Sequence, residues 1–250
     1  MQDDYYETHF VKTPRRVFDA INRWKPAPAA IVDFGCGMGV KTVATAMAYP
    51  DALVTGVDVT NAFEKVTQFI GKYLDGKRPP NLRYVQIAPG QSLAEVAQPD
   101  VICSWSVLEH VSRGILPGVV ADMKRSIQPG GMVTTQIAPL YYSPFGSHLR
   151  QFDPTPWNHL LLSHDEFRAH VVKEGKVGVG ALGSANWMFA RYEELNQITA
   201  KELFGYFRDA GFKERVAETA KVRFPIPEPL RHAFDEDALR IYELFCVYTS

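Results

Sequence analysis

The chain has 250 residues, of which 46% are apolar and 22% charged, with 18 glycines and 17 prolines; these values exclude a disordered, collagenous or fibrous protein. At this length folding buries roughly three-quarters of the extended chain's surface, so no disulfide or metal staple is required, and one elaborated domain is expected rather than two equal ones. Lys and Arg number 27 against 28 Asp and Glu, a net charge of -1, so the chain lacks the overall basic excess by which phosphate-neutralising proteins hold nucleic acid.

The tract up to Trp24 reads as a helix, with Thr13 as cap, Pro14 at the first helical position and Val17, Ile21 and Trp24 on one face. Lys25-Pro26-Ala27-Pro28 stops it. Strand and helix then alternate. Ala30–Phe34 is a short apolar run suited to a strand buried on both faces, followed by a glycine turn and a helix from Val40 to Tyr49. Leu53–Val59 is a second strand. Asn61–Leu74 reads as a helix with Asn61 and Glu64 in capping-box spacing. A third strand is expected at Leu82–Ala88 and a short helix at Gln91–Ala97. A fourth strand follows at Val101–Ser106, then a helix over Gly114–Ile127 capped from Ser112. Pro129-Gly130-Gly131 turns into a fifth strand, Met132–Ala138. This alternation argues a parallel sheet with helices on both faces.

After Ala138 the rhythm stops until Thr199. The intervening stretch holds Pro139, Pro144, Pro154 and Pro156, clustered aromatics and a glycine-rich run at 175–183, the composition of a lid or binding insertion. Thr199 and Glu202 form a second capping box, and Gly211 stands at a C-terminal cap position. Phe212–Phe224 and Ile241–Thr249 read as two closing strands, joined by a proline-rich link and a short helix, with an antiparallel ending. The expected fold is a Rossmann-like, doubly wound, mostly parallel seven-stranded α/β sheet with an antiparallel last strand and a lid insertion after the fifth strand. Residues 1–28 would form an N-terminal helical cap, 29–138 and 198–250 the cofactor-binding domain, and 139–197 the lid.

The turn Asp33-Phe34-Gly35-Cys36-Gly37-Met38-Gly39 leaves the first strand and opens the first sheet-packing helix. Small residues there let a ligand approach the backbone, and a helix N-terminus offers N–H groups. Asp58 ends the second strand 19 residues after Gly39, where a carboxylate can accept both hydroxyls of a ribose. A dinucleotide fingerprint and a phosphate-binding loop each require glycine where Val40 stands, although Lys41 and Thr42 fall in phosphate-loop register. The pattern suits a nucleoside without phosphates; a purely structural turn is the alternative, and Lys41 then reads as an exposed helix residue.

These segments resemble those of class I S-adenosylmethionine-dependent methyltransferases. Asp33 to Gly39 is similar to the first motif and Thr55-Gly56-Val57-Asp58 to the second. Pro99 to Val111, with Ser104, Trp105, Glu109 and His110, resembles the fourth-strand motif of the ubiquinone-type small-molecule branch. The resemblance covers roughly residues 28–138 and resumes near 199–249. It implies a small-molecule methyltransferase with S-adenosylmethionine as cofactor, acting by direct displacement on oxygen or nitrogen rather than carbon, with no metal. Gly35, Gly37 and Gly39 would face the methionine part and Asp58 the ribose, with Asp33, Cys36 and Val59 also cofactor-binding. Ser104 and Trp105 stand at the end of the fourth strand, with the Ser104 carbonyl or hydroxyl meeting the methionine amino group. The family's usual Asp after the third strand is absent; either Gln91 or Ser92 would take its role toward adenine, or backbone and packing alone would hold the ring.

The histidines are the candidate bases. His110 follows the fourth strand, and His148 and His159 sit in the insertion; His148 is favoured as the group that orients or deprotonates the acceptor, because the small residues before it let the side chain reach inward. Each could equally be a structural, hydrogen-bonded histidine. A metal set of His148, His159 and His164 has unfavourable spacing. Tyr5, Tyr6 and His9 could close over the cofactor, or the N-terminus could fray. Glu109 could be a solvated charge. Cys36, Cys103 and Cys246 fit neither a disulfide framework nor a zinc pattern and suit a reducing compartment. The polar, acidic N-terminus is unlike a signal peptide, and no apolar run reaches the ~20 residues needed to cross a bilayer, so a cytoplasmic protein is expected. The competing functions are a non-catalytic cofactor-binding partner domain and a nicotinamide-dependent oxidoreductase.

Overall fold

The computed structural model describes residues 6–174 and 184–250. Tyr5 and the glycine-rich run 175–183 lie outside the described residues. Seven strands form one sheet in the order β3-β2-β1-β4-β5-β7-β6. They are β1 (Ala30–Phe34), β2 (Leu53–Asp58), β3 (Leu82–Gln86), β4 (Val101–Trp105), β5 (Met132–Ile137), β6 (Lys213–Lys221) and β7 (Ile241–Thr249). The first five are parallel; β7 runs antiparallel to both β5 and β6. This is the expected seven-stranded sheet.

Helices cover both faces because parallel strands need crossovers, and the apolar runs of β1, β2, β4 and β5 need cover on each side. On one face α1 (Thr13–Trp24), α2 (Val40–Ala48) and α3 (Val66–Tyr73) bury Val17, Ile21, Val43 and Phe69 against Ile31, Val101, Cys103 and Trp105. On the other face α4 (Leu116–Ser126) and a helix over Ala200–Asp209 bury Val120, Met123, Leu203 and Phe207 against Val32, Ile102 and Val133. The pleat of β4 therefore sends Ile102 to one layer and Trp105 to the other. Strand order reverses between β1 and β4, which opens a crevice at the carboxyl ends of those strands.

Local signals were realised unevenly. The capping box at Thr199 and Glu202 forms in full, and Gly211 (φ +81°) closes that helix by donating to the Arg208 carbonyl. Thr13 does not cap α1. A π-helical turn over Glu7–Lys12 runs straight into the helix, and Thr13 Oγ1 donates to the Thr8 carbonyl at 2.7 Å. Asn61 makes no side-chain cap; a 3-10 turn over Ala62–Lys65 precedes a shorter α3. Only a 3-10 turn, Leu93–Glu95, occupies the expected helix after β3.

The stretch after β5 is more regular than its composition predicts. It contains α5 (Asn158–Leu161), α6 (His164–Glu174) and α7 (Ala185–Glu193), followed by α8 (Ala200–Asp209) of the sheet layer. Leu149, Phe152, Phe167, Val171, Phe189 and Tyr192 form a core of their own there. The prolines occupy the segment before α5 and the aromatics pack inward, so the helical period was hidden by the loop chemistry that precedes it. The link between β6 and β7 holds two short helices, α9 (Glu228–Ala233) and α10 (Glu236–Arg240), rather than one. Its Ile226, Leu230 and Leu239 bury Trp157.

Candidate functional site

A cleft of about 870 Å³ opens at the strand-order reversal. Gly35, Gly37, Asp58, Val59, Gln91, Ser92 and His110 line it, together with Ile87, Val107 and residues of α4. Asp33, Cys36, Gly39, Ser104, Trp105, His148 and His159 do not.

The glycine turn is shaped by close packing. Gly35 has φ +74°, and a Cβ there would sit 2.3 Å from Val107 Cγ1, so the β1 turn can lie against the segment after β4 only without a side chain. At Gly39 (φ +77°) a Cβ would meet the Tyr84 hydroxyl at 2.6 Å, and that hydroxyl donates to the Gly39 carbonyl at 2.8 Å. Beneath the turn Asp33 is buried and accepts from Thr42 Oγ1 at 2.5 Å. Burial pushes its carboxyl up to about 6, against the pull of Thr42 and Lys41. Asp33 thus braces the first turn of α2. Cys36 is half-buried and its thiol is pushed up by burial, which leaves it a poor nucleophile.

Asp58 projects from the tip of β2. Its Oδ2 accepts from the Gly37 N–H at 2.8 Å, while Oδ1 accepts from the Thr60 N–H at 2.8 Å and the Thr60 hydroxyl at 2.9 Å. These bonds fix the carboxylate against the cleft wall. Gln91 turns back on its own loop: Oε1 accepts from the Ala88 N–H at 2.9 Å and Nε2 donates to Glu95 Oε2 at 3.1 Å. The Ser92 hydroxyl donates to Asp122 Oδ1 at 2.7 Å, and Asp122 Oδ2 accepts the Leu93 N–H at 2.8 Å. Asp122, from α4, therefore supplies a carboxylate to the loop after β3 from a distant part of the chain. Nothing in the local pattern around Asp122 distinguishes it from an ordinary helical acid.

The histidines separate by position. His110 lines the cleft, and burial, reinforced by Arg191, lowers its pKa. His148 lies behind it with the rings edge-to-face at 5.5 Å. Its Nε2 is 2.9 Å from the Pro139 carbonyl; a carbonyl only accepts, so Nε2 carries the proton. Burial brings His148 down to about 4 and His159 to about 4. His159 Nε2 donates to the Tyr141 carbonyl at 2.7 Å. Of the N-terminal residues, Tyr6 stacks on Phe10 and packs against Phe69 and Tyr73 of α3, while His9 lies near enough to Lys41 to feel its charge.

Two residues read as solvent-facing are not. Lys41 is half-buried, with Nζ 5.9 Å from the centre of the Trp105 ring, and burial lowers its pKa against the pull of Asp33 and Glu109. Glu109 is 3% exposed and neither carboxyl oxygen has a hydrogen-bond partner. Burial pushes it up to about 8, with Lys41 opposing. Trp105 Nε1 and Ser104 Oγ are also buried without partners. Among the described residues no three His, Cys, Asp or Glu side chains converge as metal ligands.

A cofactor built on an adenosine fits these residues. The cleft has the size of a small-molecule site, one carboxylate at a strand tip, apolar walls from Val59, Ile87 and Val107, and a floor of bare glycine backbone. A family model described as a methyltransferase domain matches residues 8–215. A trans-aconitate 2-methyltransferase from Acidovorax sp. (strain JS42) is 30% identical over 112 residues, a match spanning 45% of this chain and 39% of that relative's length. TehB from Haemophilus influenzae has the same fold, with a TM-score of 0.54 at 16% identity over 99% of this chain and 66% of that one. So does PKMT2 from Rickettsia typhi in complex with AdoHcy, with a TM-score of 0.51 at 15% identity over 88% of this chain and 48% of that one. The glycine turn, the strand-tip carboxylate and a family match over most of the chain agree: the chain belongs to the methyltransferase-domain family.

Proposed function

We propose that the protein methylates a small molecule at oxygen or nitrogen by in-line displacement. The observation that carries this reading is the cleft at the β1/β4 reversal, with Asp58 fixed on its wall to accept ribose hydroxyls. The Acidovorax trans-aconitate 2-methyltransferases, named for a small organic acid, support a small acceptor. S-adenosylmethionine, held by Asp58 and the glycine turn, would supply a methyl group already activated by its sulfonium. The protein's task is placement, an effect worth up to ~7–11 kcal/mol of barrier.

Where the acceptor carries a proton, His110 takes it. The imidazole would receive the acceptor's O–H or N–H proton, which frees the acceptor's lone pair to take the methyl group that the cofactor would give up on leaving as its demethylated thioether. His110 suits this role because it faces the cleft and burial keeps it neutral. His148 is a positioning residue: its Nε2–H is committed to Pro139, and its ring holds the edge of His110. His159 pins the segment at Tyr141. The 139–197 insertion acts as acceptor cover. Support comes from its anchorage: Asn196 Nδ2 donates to the Leu108 and Val111 carbonyls, and Arg113 donates to the carbonyls of Asn196 and Gln197, on either side of the turn that bears His110.

Calorimetry with S-adenosylhomocysteine tests the cofactor assignment. Asp58→Ala removes a charged acceptor and should weaken binding roughly ten- to a hundredfold. Undiminished affinity overturns the role given to Asp58.

A further inference from the structure

The glycine turn has few donors left for a ligand. Of its five backbone N–H groups, those of Gly35 and Cys36 donate to the Val57 carbonyl, that of Gly37 to Asp58 and that of Gly39 to the Cys36 carbonyl. An amino-acid tail leaving an adenosine held at Asp58 must pass over this turn. Its carboxylate then needs a cation, and its ammonium an acceptor, beyond the turn.

Both stand on the α1/α2 side of the same strand tips. Lys41 lies in the first turn of α2, whose N-cap, Gly39, offers no side chain to its N–H groups. Glu109 lies on the 3-10 turn Leu108–His110 that follows β4, close enough to Lys41 for each to shift the other. Trp105, at the tip of β4, carries Lys41 over its ring. Two carboxyl oxygens of Glu109 and the indole N–H of Trp105 are buried without partners. Native proteins leave few such groups unanswered, and several together at a strand-tip crevice indicate a polar ligand. The Ser104 hydroxyl is buried without a partner as well, but it lies within β4 and carries no charge to meet either end of an amino acid.

We infer that Lys41 and Glu109 grip the amino-acid end of the cofactor, Lys41 taking the carboxylate and Glu109 the ammonium. With Glu109 ionised by the incoming ammonium, the pair is a charge-reversed copy of a zwitterion, which matches an α-amino acid and neither a simple anion nor a simple cation. Asp33 and His9 flank Lys41 from β1 and the N-terminal turn, and Asp33 opposes the lowering of the Lys41 pKa by burial. The inference rests on the reading of the cleft as the adenosine site.

Two ligands separate the parts. S-adenosylhomocysteine and 5′-methylthioadenosine share the adenosine and the thioether, and only the first has the amino-acid end. By calorimetry the parent should bind S-adenosylhomocysteine more tightly. Lys41→Met and Glu109→Gln should each weaken S-adenosylhomocysteine roughly ten- to a hundredfold and leave methylthioadenosine unchanged, the retained ligand reporting an intact cleft. Equal weakening of both ligands, or unchanged S-adenosylhomocysteine affinity in the half-buried Lys41→Met variant, overturns the assignment. A parent that binds neither ligand overturns the adenosine reading beneath it.

Discussion

Replacing Glu109 with Gln should make the protein's stability less sensitive to pH, and the size of the change follows from burial. The Glu109 carboxyl sits at about 8 in the folded chain against an ordinary 4.5. A raised carboxyl is one that the folded state keeps protonated and the unfolded chain ionises. Below pH ~4.5 both states hold the proton and the group contributes nothing. Between ~4.5 and ~8 the unfolded chain alone releases it, so folding stability falls as pH rises, by about 1.4 kcal/mol per unit; above ~8 the fall ends. From pH 5 to pH 7 the loss is about 2–3 kcal/mol for this one group. Gln has the same shape and no proton to lose, so the variant lacks that slope. In a chain of this length each kcal/mol moves Tm by about 2–4 °C, so the variant should gain about 5–10 °C on the parent between pH 5 and pH 7. Thermal melts of parent and variant, without cofactor, at half-unit pH intervals provide the measurement, and the difference between the two curves isolates Glu109 from other titrating groups. Parallel curves would refute the burial argument. A parent that gains on the variant as pH rises would show instead that Glu109 is charged and paired with Lys41.

Gly35→Ala should destabilise the protein by about 1–3 kcal/mol, since it adds a left-handed strain to a 2.3 Å collision with Val107; Val107→Ala in the same chain should recover only part of the steric cost, because the Val107 Cβ itself would lie 2.9 Å away, as read by urea denaturation. Asp122→Ala should cost about 1–3 kcal/mol by leaving the Ser92 hydroxyl and the Leu93 N–H without their partner, and it should weaken methylthioadenosine binding by loosening the loop after β3; an unchanged melt and unchanged affinity would contradict that role. With a protonated acceptor in hand, His110→Ala should lower kcat by ~10²–10⁴, while His148→Ala should produce a smaller loss and shift the acidic limb of the pH–rate profile; the reverse ranking would make His148 the base.

The sequence by itself determined the sheet and the shape of the cofactor turn. Buried runs such as Ala30–Phe34, the glycines at 35, 37 and 39, Asp58 at the second strand's tip and the capping box at Thr199 are local signals. Each depends on the period, the φ requirement or the hydrogen-bond reach of residues a few positions apart, so each is legible along the chain. What only the tertiary structure decided is which side chains meet. Lys41 reads as an exposed helix residue and Glu109 as a possible solvated charge, because the neighbours that meet across the strand tips are distant in sequence: Trp105 and Glu109 come to Lys41 from more than sixty positions away. Asp122 reaches the loop after β3 from thirty positions away, and the order of the histidines around the cleft depends on how the insertion folds back on Leu108 and Val111. Burial, and with it the charge a group can carry, is set by neighbours that the chain brings together only when it folds.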